Sequence, residues 1–296
     1  MADVTVIIPH LNQPTALARC LASVTTLASV VQVIVVDNGS RQPLNDVRVA
    51  FPQVTFLTEP TPGPGPARNR GVAHARGEVL AFIDADCRAE QGWVAAGLAA
   101  LSLPQARGVV GGDVRIDVAD PRHLTPLEAY ESVFAYRQRL YIRRDRYSGT
   151  GNLMVRREVL ERVGPFAGIG VAEDADWGKR AAAQGHAAVC APAMIVYHPA
   201  RRDYSEIESK WRRHIAHDRA VRGVGAVAAF RWEARRAVIL LSWLPDSVRL
   251  FTSPRLRGLG NRLRGVRALI HTRVFRFREM GVAPERATRA EAWNRG

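Results

Sequence analysis

Short, unbroken apolar runs punctuate the first third of the chain: Val4-Thr5-Val6-Ile7-Ile8, Val31 to Val36, Val54 to Leu57 and Val79 to Ile83. Runs of this length without polar alternation predict strands covered on both faces. Between them the apolar period changes. Leu17, Leu21 and Val24 fall at spacings of four and three after Asn12 and Pro14, which predicts a helix with its start signals in place. Trp93, Leu98 and Leu101 predict another. Thr61-Pro62-Gly63-Pro64-Gly65-Pro66 is turn-rich and suits neither a regular helix nor a strand. Strand–helix–strand alternation predicts an α/β fold with a mostly parallel sheet flanked by helices. Ligands in such sheets sit beyond the C-terminal strand ends, so the residues directly after each run become candidates.

Further on, Leu127 to Tyr141 reads as a helical stretch. The basic run Arg143-Arg144-Asp145-Arg146 and a loop over Gly149-Thr150-Gly151-Asn152 follow. After Pro199 the composition shifts to arginine-rich segments with amphipathic apolar stripes. The expected division is therefore a catalytic domain over residues 1–200 and a basic, mainly helical extension over 201–296. Charge sharpens that boundary. The net charge is +14, of which residues 1–200 contribute +1 and residues 201–296 contribute +13. Such a block meets anionic partners or forms a solvated basic surface. With 47% hydrophobic residues the chain is far from the composition of a disordered protein. No leader pattern opens it, and the longest apolar stretch of the extension, Ala237 to Leu244, is far short of the roughly 20 residues that span a bilayer. Cys20, Cys87 and Cys190 lie far apart without metal spacing, which suits reduced thiols in a cytoplasmic protein.

The candidate chemistry collects at strand ends. Asp84-Ala85-Asp86 follows Val79 to Ile83 directly, and two carboxylates at a strand end can converge on one hard divalent cation. Asp-Asn-Gly-Ser after Val36 is turn chemistry, but Asp37 could also accept from a base edge or a ribose hydroxyl. Ala67-Arg68-Asn69-Arg70-Gly71 is a donor-rich helix start that matches neither a Walker loop nor a dinucleotide fingerprint. Glu173, Asp174 and Asp176 place three acids in four positions. They suit either a helix N-terminus or a general base near a metal. His198 ends the strand-like Ala193 to Val196 segment.

Together these motifs resemble the inverting glycosyltransferases of family 2, which have the GT-A fold. The likeness rests on Asn12 after the first strand, Val-Val-Asp-Asn-Gly-Ser, Ala-Arg-Asn-Arg-Gly, Phe-Ile-Asp-Ala-Asp-Cys, Gly-Thr-Gly-Asn-Leu-Met-Val-Arg-Arg, Glu-Asp-Ala-Asp-Trp and Tyr-His-Pro, in order over residues 4–200. It implies a GT-A type, mixed but mostly parallel nucleotide-binding sheet. It implies that Pro9, Asn12, Asp37, Arg68, Asp84 and Ala85 line a nucleotide pocket, with Asp37 and Arg68 toward the base. Asp86 would be the direct metal ligand, with His198 and Asp84 completing the site for Mn2+ or Mg2+. Asp174 would be the catalytic base by motif register, with Glu173 and Asp176 as supporting or rival acids. Gly149, Thr150, Gly151 and Asn152 would underlie the donor sugar and acceptor. Arg212, Arg213 and His214 are candidates for closing over the diphosphate.

The resemblance implies transfer of a sugar from a nucleoside-diphosphate sugar, with a UDP-sugar favoured, to a glycan or lipid-linked glycan in polysaccharide or cell-envelope synthesis. Phe230, Trp232, Val238, Ile239, Leu241, Trp243, Leu244 and Phe251 interleave with arginines in the extension. This suits either an anionic membrane surface, at the inner face of the plasma membrane, or a helix packed over the catalytic domain. Two other readings fit less well. A sugar-phosphate nucleotidyltransferase would carry a glycine-rich loop where Pro9-His10-Leu11-Asn12 stands. A nucleic-acid-binding protein would leave the acidic cluster unexplained and lacks an aromatic platform or zinc framework, so no nucleic-acid partner is expected.

Overall fold

The structure is a computed structural model and describes residues 3–282; the last part of the expected extension, residues 283–296, lies outside the described residues. Eight strands form one sheet: β1 (Val4–His10), β2 (Val30–Asp37), β3 (Thr55–Thr58), β4 (Val79–Ile83), β5 (Arg88–Ala89), β6 (Val109–Asp117), β7 (Asn152–Arg156) and β8 (Val189–Pro199). Their order is β3-β2-β1-β4-β7-β6-β8-β5. The four apolar runs of the first third form the parallel part, β3, β2, β1 and β4. From β7 onward the sheet is mixed: β7 runs antiparallel to both β4 and β6, and β5 antiparallel to β8. Val6, Ile8, Val35, Ala81 and Ile83 turn one sheet face toward Leu17, Leu21 and Trp93 of the covering helices. Ile7, Leu80 and Phe82 turn the other toward Val159, Phe166 and Trp177.

β6 and β7 are not apparent from the apolar pattern, and close approach explains why. β6 carries Gly111-Gly112, which reads as a turn. A Cβ at Gly112 would stand 2.2 Å from the Met194 carbonyl oxygen on β8, so only glycine fits there. β7 begins at Asn152, which takes that residue out of the expected loop. The helix expected over Leu127 to Tyr141 runs only from Pro126 to Phe134. Ala135 is extended, Tyr136 takes a left-handed φ of 45°, and the chain resumes as short helical turns from Gln138.

The chain divides into two compact units, residues 1–115 with 136–198, and residues 116–135 with 199–296. The first holds the sheet. The second is helical: Pro126–Phe134, Tyr204–Val221, Ala226–Leu241, Trp243–Thr252 and Leu259–Met280. The segment 116–135, expected in the catalytic domain, joins the second unit for a packing reason. Leu124, Leu127 and Tyr130 are buried against Ile207, Leu250 and Leu269. Thr125 and Glu128 close a capping box at the start of that first helix, satisfying backbone donors at both ends of the pair. Among the described residues no helix is long and apolar enough to cross a membrane.

Candidate active site

Register builds the first part of the site. In the β1–β2 pair His10 stands opposite Asp37 at the C-terminal ends of both strands. His10 is buried, and its Nε2 accepts from the Gln13 backbone N–H at 3.1 Å. The proton assigned by that contact sits on Nδ1 and is donated to Asp37 Oδ1 at 3.2 Å. Burial lowers the His10 pKa against the raising effect of Asp37, which keeps the ring neutral. Ser40 donates to the same Oδ1 from its hydroxyl at 2.5 Å and its backbone N–H at 3.4 Å. Asp37 Oδ2 has no partner among the described residues, so one oxygen is fixed and the other is available. Asn12, at a φ of 54°, ties in the neighbouring loop. Its N–H donates to Ser40 Oγ at 2.8 Å, and its Oδ1 accepts from Arg41 N–H at 2.8 Å. Asn38 gathers the turn-rich loop by donating to the Glu59 and Thr61 carbonyls and accepting from Gly63 N–H. Pro9, half-buried on β1, faces Val36 in the register.

The helix Pro64–His74 lies directly on the sheet because its inner face is small. A Cβ at Gly71 would meet an Ile7 methyl at 2.5 Å. That close seat sinks Arg68 to 3% exposure. Its Nη2 donates to Asp84 Oδ1 at 2.9 Å and its Nη1 to Glu173 Oε1 at 2.8 Å. Arg68 therefore bridges two acidic motifs, with both terminal nitrogens engaged, where the sequence reading turned it toward a base.

The β4–β7 register places Ile83 opposite Asn152, which brings Asp84 beside Gly151. A Cβ at Gly151 would stand 2.5 Å from Asp84 Oδ2, so glycine there leaves the carboxylate its space. Burial raises the Asp84 pKa, Arg68 opposes it and the Asp86 charge adds to the rise. Ala85 is buried in the core between the two acids. The antiparallel β5–β8 pairing delivers His198, and its Nε2 lies 3.2 Å from Asp86 Oδ2. Burial would raise Asp86, but the His198 hydrogen bond and charge hold its carboxyl below the ordinary value. The Tyr136 hydroxyl meets the same Nε2 at 2.8 Å, and its ring lies 4.6 Å from the imidazole. Of the three expected metal ligands, Asp86 and His198 come together, while Asp84 is held by Arg68. Among the described residues no group of three His, Cys, Asp or Glu side chains is gathered around one point.

Glu173, Asp174 and Asp176 open the helix Glu173–Ala183, and the structure separates their environments. Glu173 holds Arg68. Asp176 is bonded by Arg180 at 2.9 Å one turn along, and Arg180 also clamps the Val163 and Pro165 carbonyls. Asp176 is therefore tied to Arg180 on its own helix. Among the described residues the Asp174 carboxylate accepts only from the Ala175 N–H through Oδ1, at 2.7 Å. Its Oδ2 has no partner among the described residues and approaches Gly149, where a Cβ would stand 3.6 Å away. Burial, then the Glu173 charge, push the Asp174 carboxyl up to about 6. Gln138 fixes the facing loop by donating to the Gly149 carbonyl and accepting from its N–H. Thr150 is buried in that loop. Asn152 is fully buried at the start of β7. Its amide donates to the Asp113 and Met194 carbonyls and accepts from Trp93 Nε1, knitting β6, β7 and β8 together.

Arg212, Arg213 and His214 belong to the helix Tyr204–Val221 of the second unit. There Arg212 pairs with Glu208 and Glu279 and lies over the Phe275 ring. Burial lowers the Arg213 pKa, and burial beside Lys210 pushes His214 down to about 4. His10, Ser40, Tyr136 and Gln138 are site residues that the sequence does not single out. Strand register brings in His10, the Asp-Asn-Gly-Ser turn brings in Ser40, and the end of the helix at Phe134 brings in Tyr136 and Gln138.

Residues 5–164 match the family described as glycosyl transferase family 2. Glycosyltransferase AglE of Haloferax volcanii is 34% identical over 209 residues, 67% of each chain. Among solved structures, the mannosyltransferase PcManGT from Pyrobaculum calidifontis, in complex with GDP-Man and Mn2+, has a TM-score of 0.59 at 21% identity over 96% of this chain and 89% of that one. Glucosyl-3-phosphoglycerate synthase from Mycobacterium tuberculosis, in complex with Mn2+, UDP-glucose and phosphoglyceric acid, has a TM-score of 0.53 at 21% identity over 73% and 78% of the two chains. These likenesses carry the fold, a helix-flanked mixed sheet of GT-A type. The chain belongs to glycosyl transferase family 2 and is a glycosyltransferase with a GT-A fold.

Proposed function

We propose that this glycosyltransferase moves a sugar from a nucleoside-diphosphate sugar, with a UDP-sugar favoured, to a hydroxyl of a glycan or lipid-linked glycan, inverting the anomeric centre. The observation that carries this reading is Asp174. It is a desolvated carboxyl with a pKa near 6 and one oxygen without a partner among the described residues, joined to the Asp84-Ala85-Asp86 motif through Glu173 and Arg68. An acceptor hydroxyl gives its proton to Asp174 Oδ2 as its oxygen bonds to the anomeric carbon. The bond from that carbon to the diphosphate oxygen breaks, and its electron pair leaves with the nucleoside diphosphate. One displacement with one base inverts the centre, and no carboxylate nucleophile is needed.

The unpartnered Asp37 Oδ2 suits the N3–H of uracil, while His10 and Ser40 hold the other oxygen. Asp86 Oδ2 and His198 Nε2 are a carboxylate–imidazole pair that fits Mn2+ or Mg2+, ions that complete their shells with phosphate oxygens and water. When bound, the cation neutralises charge growing on the diphosphate. The two solved neighbours, each in complex with Mn2+ and a nucleotide sugar, support this cofactor and donor class. Gly149, Thr150 and Gly151 are the proposed floor for donor sugar and acceptor. Arg212 and Arg213 remain proposed diphosphate contacts on their charge, and His214, held neutral, as a hydrogen-bonding contact. The proposed setting is polysaccharide or cell-envelope glycan synthesis at the inner face of the plasma membrane.

A thermal-shift panel with Mn2+ and UDP, GDP, CDP or dTDP, followed by release of diphosphate from the matching sugars, tests the reading. A Mn2+-dependent shift greatest with UDP supports it. A greatest shift with GDP would reassign the base, and no shift with any nucleotide would overturn the donor class.

A further inference from the structure

The helices Ala226–Leu241 and Trp243–Thr252, joined through Ser242, are apolar on two opposite sides. Trp232 and Ile239 face inward with Ile215 and Met280. On the other side, Val227, Phe230, Ala234, Val238 and Leu241 recur at spacings of three and four, which places them on one outward stripe. Phe230 is 75% exposed, Val227 65% and Leu241 62%. The stripe continues on the next helix with Leu244, Val248 and Phe251, also exposed. Scattered exposed apolar residues need no explanation, but a continuous helical stripe of them marks an interaction surface.

Charge identifies the occupant. Residues 224–270 carry nine arginines and two acids. Both acids are neutralised within the unit: Glu233 pairs with Arg236, and Asp246 is buried between Arg249 and Arg273. Arg231 borders the stripe one residue after Phe230, and Arg257 follows in the next loop. Both are exposed, and neither side chain has a hydrogen-bond or ion-pair partner among the described residues. A second copy seated on this face would set arginine against arginine, a repulsive arrangement. An apolar stripe edged with unneutralised arginine matches the boundary of an anionic bilayer, where apolar side chains enter the acyl region and guanidinium groups meet lipid phosphates.

We infer that the face formed by Val227, Phe230, Val238, Leu241, Leu244 and Val248 docks the protein in the plane of an anionic lipid surface, without spanning it. This inference goes beyond the donor and base chemistry and stands on the second unit alone.

The test uses the full chain and flotation with vesicles of phosphatidylcholine, with and without phosphatidylglycerol, over a range of salt. The wild type is expected to float with the anionic vesicles, less so at high salt. Phe230→Ser with Leu241→Ser is expected to lower the bound fraction at least about tenfold. Arg231→Gln with Arg257→Gln is expected to flatten the salt dependence. Melting temperature and Mn2+-dependent nucleotide binding are expected to stay unchanged in both variants, so docking and donor binding are judged separately. Hydrogen exchange on the unmodified protein gives a second readout, with vesicle-induced protection expected within residues 226–252. No flotation with anionic vesicles, undiminished flotation of the serine variant, or protection confined to other segments would each overturn the inference. So would a wild-type dimer that the serine variant dissociates, since that result would give the face to a second copy.

Discussion

Arg68 holds Glu173 through Nη1 at 2.8 Å while Nη2 holds Asp84, so one buried guanidinium joins the motif after β4 to the acidic cluster carrying Asp174. Removing one partner of a buried charge network leaves the others uncompensated, which typically costs about 3–5 kcal/mol. Arg68→Met should therefore lose stability of about that size in denaturant unfolding. Arg68 also lowers the Asp174 pKa, so the variant's residual activity should need a higher pH than the wild type. A variant as stable as the wild type, with an unmoved pH profile, would make Arg68 a bystander.

Asp174 gives a prediction with two signs. As a base it must be ionised, so kcat/KM should fall about tenfold per pH unit below an apparent pKa near 6. Asp174→Asn should lower kcat by about 10²–10⁴-fold with little change in nucleotide affinity. For stability the direction reverses. A carboxyl raised from 3.8 to about 6 disfavours the folded state when ionised. That cost is absent below the unfolded value, grows between the two and is complete above about 6. Asp174→Asn should therefore stabilise the protein at pH 8, by about 1–3 kcal/mol, and not at pH 4. Urea midpoints at the two pH values decide it. A destabilised Asn variant at pH 8 would point to a structural carboxylate.

The parallel half of the sheet was legible because each strand is a local apolar run, buried on both faces. The motifs at the ends of these strands were legible for the same reason. β6 was not, since Gly111 and Gly112 answer to neighbours distant in sequence, Ser148 and Met194. The three acids after Ala172 look alike in sequence and differ only by what folding sets beside them: Arg68 for Glu173, Arg180 for Asp176, and for Asp174 only a backbone N–H. Asn152 looked like a loop residue because its hydrogen bonds go to Asp113, Met194 and Trp93, none of them a sequence neighbour. Local pattern thus reported which acids lie at the sheet edge. Register and long-range pairing set what each of them touches.

The His10–Asp37 contact predicts a division of labour in nucleotide binding. Asp37→Asn keeps the size of the side chain but replaces an acceptor with a donor on one side, so UDP affinity should fall strongly. His10→Leu leaves Asp37 in place but removes one donor to Oδ1, so the carboxylate loses alignment rather than function. A loss of about tenfold in Kd, equivalent to 1.4 kcal/mol, is expected, with kcat nearly unchanged. Calorimetric titration of UDP in the presence of Mn2+ checks both. Equal losses for the two variants would mean that His10 touches the nucleotide itself.

The Asp86–His198 pair predicts how cation dependence should fail. If these two side chains hold the ion, Asp86→Ala should abolish the Mn2+-dependent part of the thermal shift with UDP while leaving the small metal-independent part. Tyr136 meets the same His198 nitrogen with its hydroxyl, which a bound cation would displace, while its ring lies tilted against the imidazole and positions it. Tyr136→Phe keeps the ring contact and removes only the hydroxyl. It should therefore lower the Mn2+ concentration needed for half-maximal stabilisation by a few-fold, since the hydroxyl no longer competes for the ligand nitrogen. Tyr136→Ala also removes the ring contact that positions the imidazole and should raise that concentration, toward the 10–100-fold typical of lost support to a metal ligand. A Mn2+ titration that is identical for wild type, Tyr136→Phe and Tyr136→Ala would free His198 from this support. One that survives Asp86→Ala would place the cation elsewhere.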